Sequence, residues 1–350
     1  MPSSNNAIIY KAHPTEFPEA GVHLAFEKRP YDLDELQKDE FITENLFLSI
    51  DPYQRGRMRA PETKSYFPPF AIGSPIQSGG VGRVIKSNNA NFPVGKLVLG
   101  LLDWSEYSKV TPGQGNGLKV LENKYNLPLS RYTGILDMPG MTAYASLYEI
   151  GQPKKGETIF ISAASGAVGQ IVGQLAKREG LTVVGSAGTA EKVKYLKEKL
   201  HFDEAFNYKE EKPSDALAKY CPKGIDIYFE NVGGETLDAC LVAANPHARF
   251  IMCGMISQYN TKKEDQYGVK NLMLVVAKSI TMRGFIVTNL WQKYNKEFYE
   301  NMERWLKNGE LKYQEDITDG LEKAPEAFVG MLKGKNFGKA LIAVKGNGAN

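Results

Sequence analysis

The stretch Thr158-Ile159-Phe160-Ile161-Ser162-Ala163-Ala164-Ser165-Gly166-Ala167-Val168-Gly169 decides the fold, because it joins a run of apolar residues to a small-residue turn and then to a helical pattern. The first five residues have the length and branching of a buried strand. Beyond the turn, Val168, Ile171, Val172, Leu175 and Ala176 recur at the spacing of one apolar helix face. The small residues at 163, 166 and 169 let backbone N–H groups at the start of that helix approach a pyrophosphate, whose charge the helix dipole favours. The turn reads as a variant of the dinucleotide fingerprint, with Ala163 where the first glycine usually stands. A bare glycine match is weak; strand before, helix after and further strands beyond supply the context. The competing reading is a tight helix–sheet contact that holds no ligand.

Working outward, the rhythm stays strand, helix, strand, helix. Residues 181–184 form the next expected strand, and Val193, Leu196 and Leu200 mark the next helix. Further strands are expected over 225–230, 249–254 and 280–287, with helices over 236–244 and 291–306. That alternation predicts a doubly wound parallel sheet. The first 130 or so residues differ: short apolar runs over 46–50, 80–85 and 97–100 are separated by Asp51-Pro52, Pro68-Pro69 and Asn88-Asn89, so β-rich material is expected there. Pro139-Gly140 reads as punctuation before a helix over 142–150, and a strand over 340–344 as a return to the first domain.

Composition narrows the function. The chain has 350 residues, 42% hydrophobic and 24% charged, enough for two globular cores. Its 43 basic residues against 40 acidic give a formal charge of +3, too small a field for general nucleic-acid or anionic-membrane binding. Three scattered cysteines, Cys221, Cys240 and Cys253, offer neither a disulfide framework nor a cysteine zinc cage, and four dispersed histidines show no ligand spacing, so no metal site is expected. The amino-terminal stretch has no apolar leader pattern, and no run of about 18 uncharged apolar residues occurs. The expectation is a cytoplasmic protein acting on a small molecule, with no nucleic-acid or membrane partner.

The choice of dinucleotide falls at the end of the second strand. An unphosphorylated cofactor usually meets an acidic residue about 20 positions past the glycines. Here Gly185-Ser186-Ala187-Gly188-Thr189 carries no charge. Lys192 follows in the first helical turn, able to reach a 2′-phosphate; Glu191 beside it is the rival, as an acid for the ribose, and Lys192 also reads as one more solvated lysine.

At this point the sequence resembles a family. The flanked Gly166-Ala167-Val168-Gly169, Asn207-Tyr208-Lys209, Asn231-Val232-Gly233-Gly234, the run Cys253-Gly254-Met255-Ile256-Ser257-Gln258-Tyr259-Asn260 and Gly284-Phe285-Ile286-Val287 resemble the zinc-independent medium-chain dehydrogenases/reductases. So do Ser49-Ile50-Asp51-Pro52-Tyr53 with Arg55, and Met138-Pro139-Gly140-Met141-Thr142-Ala143-Tyr144. The nearest branch is that of the NADPH-dependent alkenal double-bond reductases, which includes the leukotriene B4 12-hydroxydehydrogenase/prostaglandin reductases. The likeness covers nearly the whole chain, and the run ending at Tyr259-Asn260 is its most specific part.

The resemblance implies an α/β protein with a GroES-like β-rich catalytic domain over 1–132, completed by 309–350, and a Rossmann NADPH-binding domain over 133–308. It implies a cleft between them and a homodimer. By the same resemblance Ala163, Gly166, Ala167, Val168 and Gly169 hold the cofactor, Lys192 and Tyr208 meet its 2′-phosphate, and Asn231, Cys253, Tyr259, Phe285 and Val287 lie along it. Asn336, in Gly334-Lys335-Asn336-Phe337-Gly338, closes over it. Asp137 departs from the pattern, which more often has a small residue there.

The expected reaction is reduction of the C=C bond of an α,β-unsaturated ketone or aldehyde, with charge gathering on the carbonyl oxygen. A tyrosine hydroxyl is a suitable donor to that oxygen because it stays protonated at neutral pH. Tyr259 and Tyr53 are the candidates, although with 18 tyrosines in the chain most must be packing or surface residues. Arg55, Arg57 and Arg59 read either as a lure for an acidic substrate tail or as a solvated turn. The rival functions are a zinc-free quinone oxidoreductase and a nucleotide-binding protein without chemistry.

Overall fold

The computed structural model describes residues 4–33, 35–111 and 117–346. The first three residues of the amino-terminal stretch and the last four of the chain lie outside that description. Two compact units emerge, Met1–Asp137 with Glu315–Asn350, and Met138–Gln314.

The second unit is built on six parallel strands in the order Glu204–Asn207, Thr182–Ala187, Thr158–Ile161, Ile225–Glu230, Ala244–Met252, Thr281–Gly284. Numbered along the chain this is 3-2-1-4-5-6, the doubly wound order, with its reversal beside Thr158–Ile161. Strands buried on both faces account for the continuous apolar runs: Ile159, Phe160, Ile161, Ile227, Tyr228 and Phe229 are all fully buried. Phe160 stacks between Phe206 and Tyr228 at 5.8 and 5.4 Å. The expected amphipathic helix is Gly169–Arg178, which buries Ile171, Val172, Leu175 and Ala176.

The sequence reading missed the strand Glu204–Asn207 and the helix Pro213–Tyr220. That strand is four residues long with an acid at its start, too short for a periodic signal. Pro139-Gly140, read as punctuation, instead lies inside the helix Met138–Ser146. Proline fits a first helical turn, whose N–H groups have no partner within the helix, so Pro139 helps to start the helix.

The first unit holds a seven-stranded sheet in the order Glu315–Asp319, Lys339–Ala343, Phe41–Ser49, Gln77–Ser87, Leu97–Asp103, Lys119–Val120, with Tyr107–Val110 paired to Phe41–Ser49. Lys339–Ala343 runs antiparallel to Phe41–Ser49, so the carboxyl segment adds a strand to this sheet. Its core gathers Leu48, Ile50, Trp104 and Ile342 against Phe328 and Leu332 of the helix Ala324–Leu332. The Trp104 indole donates to Ser78 Oγ at 2.8 Å.

The passages between units fall after Asp137 and after Gln314, each a few residues later in the chain than expected, and side chains show why. Ser130 Oγ donates to Glu315 at 2.8 Å and Arg131 pairs with the same carboxylate at 3.1 Å, tying the turn Leu129–Thr133 to the first sheet. Gln174 donates to Lys312 O at 2.8 Å and Gln170 to Gln314 O at 3.1 Å, holding 312–314 on the second unit.

Candidate functional site

In a parallel sheet every strand ends on the same edge, and ligands of doubly wound proteins settle there. The candidate residues of the second unit occupy that edge. Ala163 follows Thr158–Ile161, Tyr208 follows Glu204–Asn207, Asn231 follows Ile225–Glu230, Cys253 follows Ala244–Met252, and Phe285 and Val287 follow Thr281–Gly284.

The glycine turn is the tightest part. A Cβ on Gly169 would fall 2.7 Å from Ala163 O and from Ala164 Cα, so the helix can pack against the turn only if residue 169 lacks a side chain. A Cβ on Gly166 would meet only Ala163 O, at 3.2 Å, with nothing else within 4 Å. The backbone there is open to a ligand. No acidic side chain and no side-chain cap occupy the first turn of Gly169–Arg178, which leaves its amino terminus to an anion. These features fit a dinucleotide pyrophosphate.

One assignment needs correcting. Aligned on Gly166 and Gly169, the first glycine of the fingerprint corresponds to Ala164, one residue after Ala163. Ala164 is fully buried, and its Cβ would lie 2.7 Å from one built on Gly185. Ala163 instead carries the conformational burden, at φ +48° in the left-handed region.

The second strand ends without a carboxylate. Thr189 caps the helix Ala190–Glu198 by accepting from Lys192 N at 3.3 Å. Lys192 is only 8% exposed, whereas Glu191 in the same turn points to solvent. Tyr208 lies across Gly188: a Cβ there would come within 3.1 Å of the phenol oxygen. A lysine turned inward and a phenol on a bare backbone suit a 2′-phosphate better than a lone ribose hydroxyl.

Asn231 is fixed by Ser162, donating Nδ2 to its carbonyl at 2.7 Å while its N–H donates to the hydroxyl at 2.9 Å. Beneath this turn lies a carboxyl group that the sequence reading passed over. Glu230 is fully buried, and its Oε1 accepts from Val232 N at 2.6 Å, Gly233 N at 2.9 Å and Tyr228 Oη at 2.8 Å. Burial raises its pKa above the usual carboxylate value. A single acid at a strand end is no sequence signal by itself.

Tyr259 follows the short helical turn Ile256–Gln258, with its hydroxyl 2.8 Å from where a Gly254 Cβ would stand. It is 36% exposed.

Tyr53 and Asn336 belong to the first unit. Tyr53 opens the helical turn Tyr53–Arg57, its ring 5.3 Å from that of Phe67. Gln54 Oε1 accepts from Asp51 N at 2.7 Å and its Nε2 donates to Gln77 O at 3.3 Å, pinning the turn to the sheet. Burial, then the charges of Asp51 and Asp137, push the Tyr53 hydroxyl well above its ordinary pKa, so it is a phenol across the physiological range. Asn336 Nδ2 donates to Gly338 O at 2.7 Å, closing its own turn.

The three arginines after Tyr53 fit neither expectation. Arg55 donates to Pro14 O and Glu16 O at 3.2 and 2.9 Å, and Arg57 to Pro68 O at 2.9 Å while lying 4.1 Å over the Phe70 ring. Arg59 donates to Thr63 O and Gly56 O at 2.8 and 2.6 Å. They fasten loops by their carbonyls, a use that the alternation of charge in a sequence does not reveal.

Among the described residues no group of three or more His, Cys, Asp or Glu side chains is arranged to hold a metal ion. None of their helices is long and apolar enough to cross a membrane.

Sheet order, glycine turn and strand-end residues define the second unit as a dinucleotide-binding domain of the doubly wound class. Comparison with known proteins agrees. Residues 6–119 match a family described as the N-terminal domain of oxidoreductase, and residues 167–308 one described as zinc-binding dehydrogenase. The chain is 49% identical over 343 residues to the NADP(+)-dependent 2-alkenal reductase of Nicotiana tabacum, covering 97% of this chain and 98% of that one. It is 48% identical, over 97% of both chains, to the NADP-dependent oxidoreductase RED1 of Cochliobolus heterostrophus. The crystal structure of CurA from Vibrio vulnificus in complex with NADPH superposes with a TM-score of 0.89 at 38% identity, covering 97% of this chain and 99% of that one. The chain belongs to the zinc-independent medium-chain dehydrogenases/reductases, with a GroES-like first unit and a Rossmann second unit.

Proposed function

We propose that the chain reduces the C=C bond of α,β-unsaturated aldehydes and ketones with NADPH. The observation that carries this is the phenol of Tyr259, seated over Gly254 on the same sheet edge as the Gly166–Gly169 turn, in a chain 49% identical to a 2-alkenal reductase. Bound NADPH supplies a hydride to the β-carbon of the substrate. The protein's own part is to hold the pyrophosphate on the backbone of 166–169, to meet the 2′-phosphate with Lys192 and Tyr208, and to line the rest with Asn231, Cys253, Phe285 and Val287.

Tyr259 donates a hydrogen bond to the carbonyl oxygen as charge develops there. Tyr53, whose hydroxyl shares a hydrogen bond with Arg57, is the second candidate donor. The test is Tyr259→Phe, expected to lower kcat by about 100-fold or more on an enone. Wild-type turnover by the variant would remove Tyr259 from this role. Assays against quinones alongside enones separate enone reduction from quinone reduction.

The proposal extends to assembly and location. Thr281–Gly284 is a sheet edge, and Leu272, Met273 and Val276 nearby are 55%, 74% and 70% exposed. An open strand edge with an apolar patch suits pairing with a second copy. Light scattering is expected to give the mass of a dimer. The three cysteines are free thiols, which suits a reducing cytoplasm.

A further inference from the structure

Tyr259 is carried by a segment that is fastened on both sides within the second unit. On the near side, Cys253 N and Gly254 N donate to Glu230 O at 3.0 Å, Ile256 N to Asn231 O at 3.1 Å and Ser257 N to Val232 O at 3.1 Å. Residues 253–257 therefore lie along the strand-end turn 230–233. On the far side the chain runs exposed over 262–266 and is caught at Tyr267. The Tyr267 phenol donates to Asp238 Oδ2 at 2.9 Å, and Lys270 N and Asn271 N donate to Asp238 Oδ1 at 3.1 and 2.8 Å. Asp238, 6% exposed, stands on the helix Gly234–Ala243. Burial favours its neutral form, but the bonds from Asn271, Tyr267 and Lys270 outweigh that and hold its pKa below the usual carboxylate value, so it accepts them as a carboxylate at neutral pH. Tyr267 also reaches back to the residue before Tyr259. Its N–H donates to Gln258 Oε1 at 2.9 Å, while Gln258 Nε2 donates to Ser257 Oγ at 2.8 Å. A Cβ on Gly234, at the start of the same helix, would fall 3.2 Å from Gln258 Nε2 and 3.9 Å from Tyr267 Cβ, so helix, Gln258 and Tyr267 are closely packed.

We infer that Tyr267 and Asp238 are positioning residues for the reduction, a latch that holds the Gln258–Tyr259 turn so that the Tyr259 phenol keeps its place over Gly254. The inference rests on the reading of Tyr259 as donor to the substrate oxygen. Tyr267 and Asp238 act through Gln258 and not on the reacting atoms. A phenol bonded to a carboxylate is a strong, directional tie, and the same carboxylate gathers three donors of one loop, so its loss would free residues 267–271 together. A donor to a developing oxyanion loses its effect steeply with displacement, a shift of about 1 Å costing up to about 100-fold in rate.

The test is a double-mutant cycle of Tyr267→Phe with Tyr259→Phe, read as kcat on (E)-4-phenylbut-3-en-2-one at saturating NADPH, with the Kd for NADPH measured by calorimetry alongside. Tyr267→Phe keeps the ring and the backbone N–H and removes only the hydroxyl. It is expected to lower kcat by about tenfold, to leave NADPH binding unchanged, and to cause no further loss in the Tyr259→Phe background. Asp238→Asn is expected to behave in the same way. Wild-type kcat in Tyr267→Phe overturns the inference while leaving the role of Tyr259 standing. So does an equal fold-loss with and without the Tyr259 hydroxyl, or NADPH binding weakened in step with kcat, since either assigns the latch to the fold alone. Should Tyr259→Phe itself turn over like wild type, the reading of Tyr259 falls and this inference with it. If Tyr267→Phe does not fold, Asp238→Asn in the same cycle decides.

Discussion

The Lys339 ammonium donates to Asp51 Oδ1 at 2.8 Å and to Ile50 O at 2.6 Å inside the first unit, with the lysine side chain fully buried and the aspartate 4% exposed. This pair joins the strand after Asn336 to the turn that bears Tyr53. A buried charge left without its partner is costly, about 3–5 kcal/mol. Lys339→Met is accordingly expected to lower unfolding free energy by about that amount, read from urea denaturation. Replacing both partners together, as Asp51→Asn with Lys339→Met, should recover part of the loss, because the double change leaves no orphaned charge.

Gly169→Ala tests the glycine turn. The added methyl would press on backbone, which cannot swing aside as a flexible side chain would. The expected outcome is a loss of about 1–3 kcal/mol in stability and NADPH binding weakened by at least tenfold in calorimetry. Gly166→Ala faces a contact of 3.2 Å against one atom and should be the better folded of the two, while still obstructing the cofactor.

Lys192→Ala tests the choice of cofactor. Removing a cationic donor to the 2′-phosphate is expected to raise the Kd for NADPH by about tenfold or more and to leave that for NADH nearly unchanged. Equal weakening of both would assign Lys192 a packing role alone.

Much of this was legible in the sequence. The doubly wound unit followed from the helix stripe at 168–176 and from apolar runs whose ends the structure keeps nearly intact, as in Ile225–Glu230. The Gly166–Gly169 turn was legible because its small residues stand between two strong periodic signals. Glu230 and the stapling arginines were not, since no spacing of residue types marks a buried acid under a turn or an arginine that fastens a loop, as Arg55 does through the carbonyls of residues 14 and 16. The turn Asn231–Gly233 matched a motif, while the buried acid that holds it has no periodicity to reveal it.

Glu230 yields a prediction in pH. Its folded pKa is raised, so between its usual value near 4.5 and the folded one the native state holds a proton that the unfolded chain has released. Stability from this group is full below that usual value and is lost as pH rises through the folded pKa. Glu230→Gln, which cannot ionise, should flatten that part of the curve of unfolding free energy against pH, as followed by urea titrations across the acid-to-neutral range.

The most direct measurement is the fate of deuterium from NADPH labelled at the transferable C4 position, followed by NMR of the product of (E)-4-phenylbut-3-en-2-one. The account predicts the saturated ketone with one deuterium on the carbon β to the carbonyl. Deuterium on the carbonyl carbon of an allylic alcohol, or no consumption of NADPH, would contradict it.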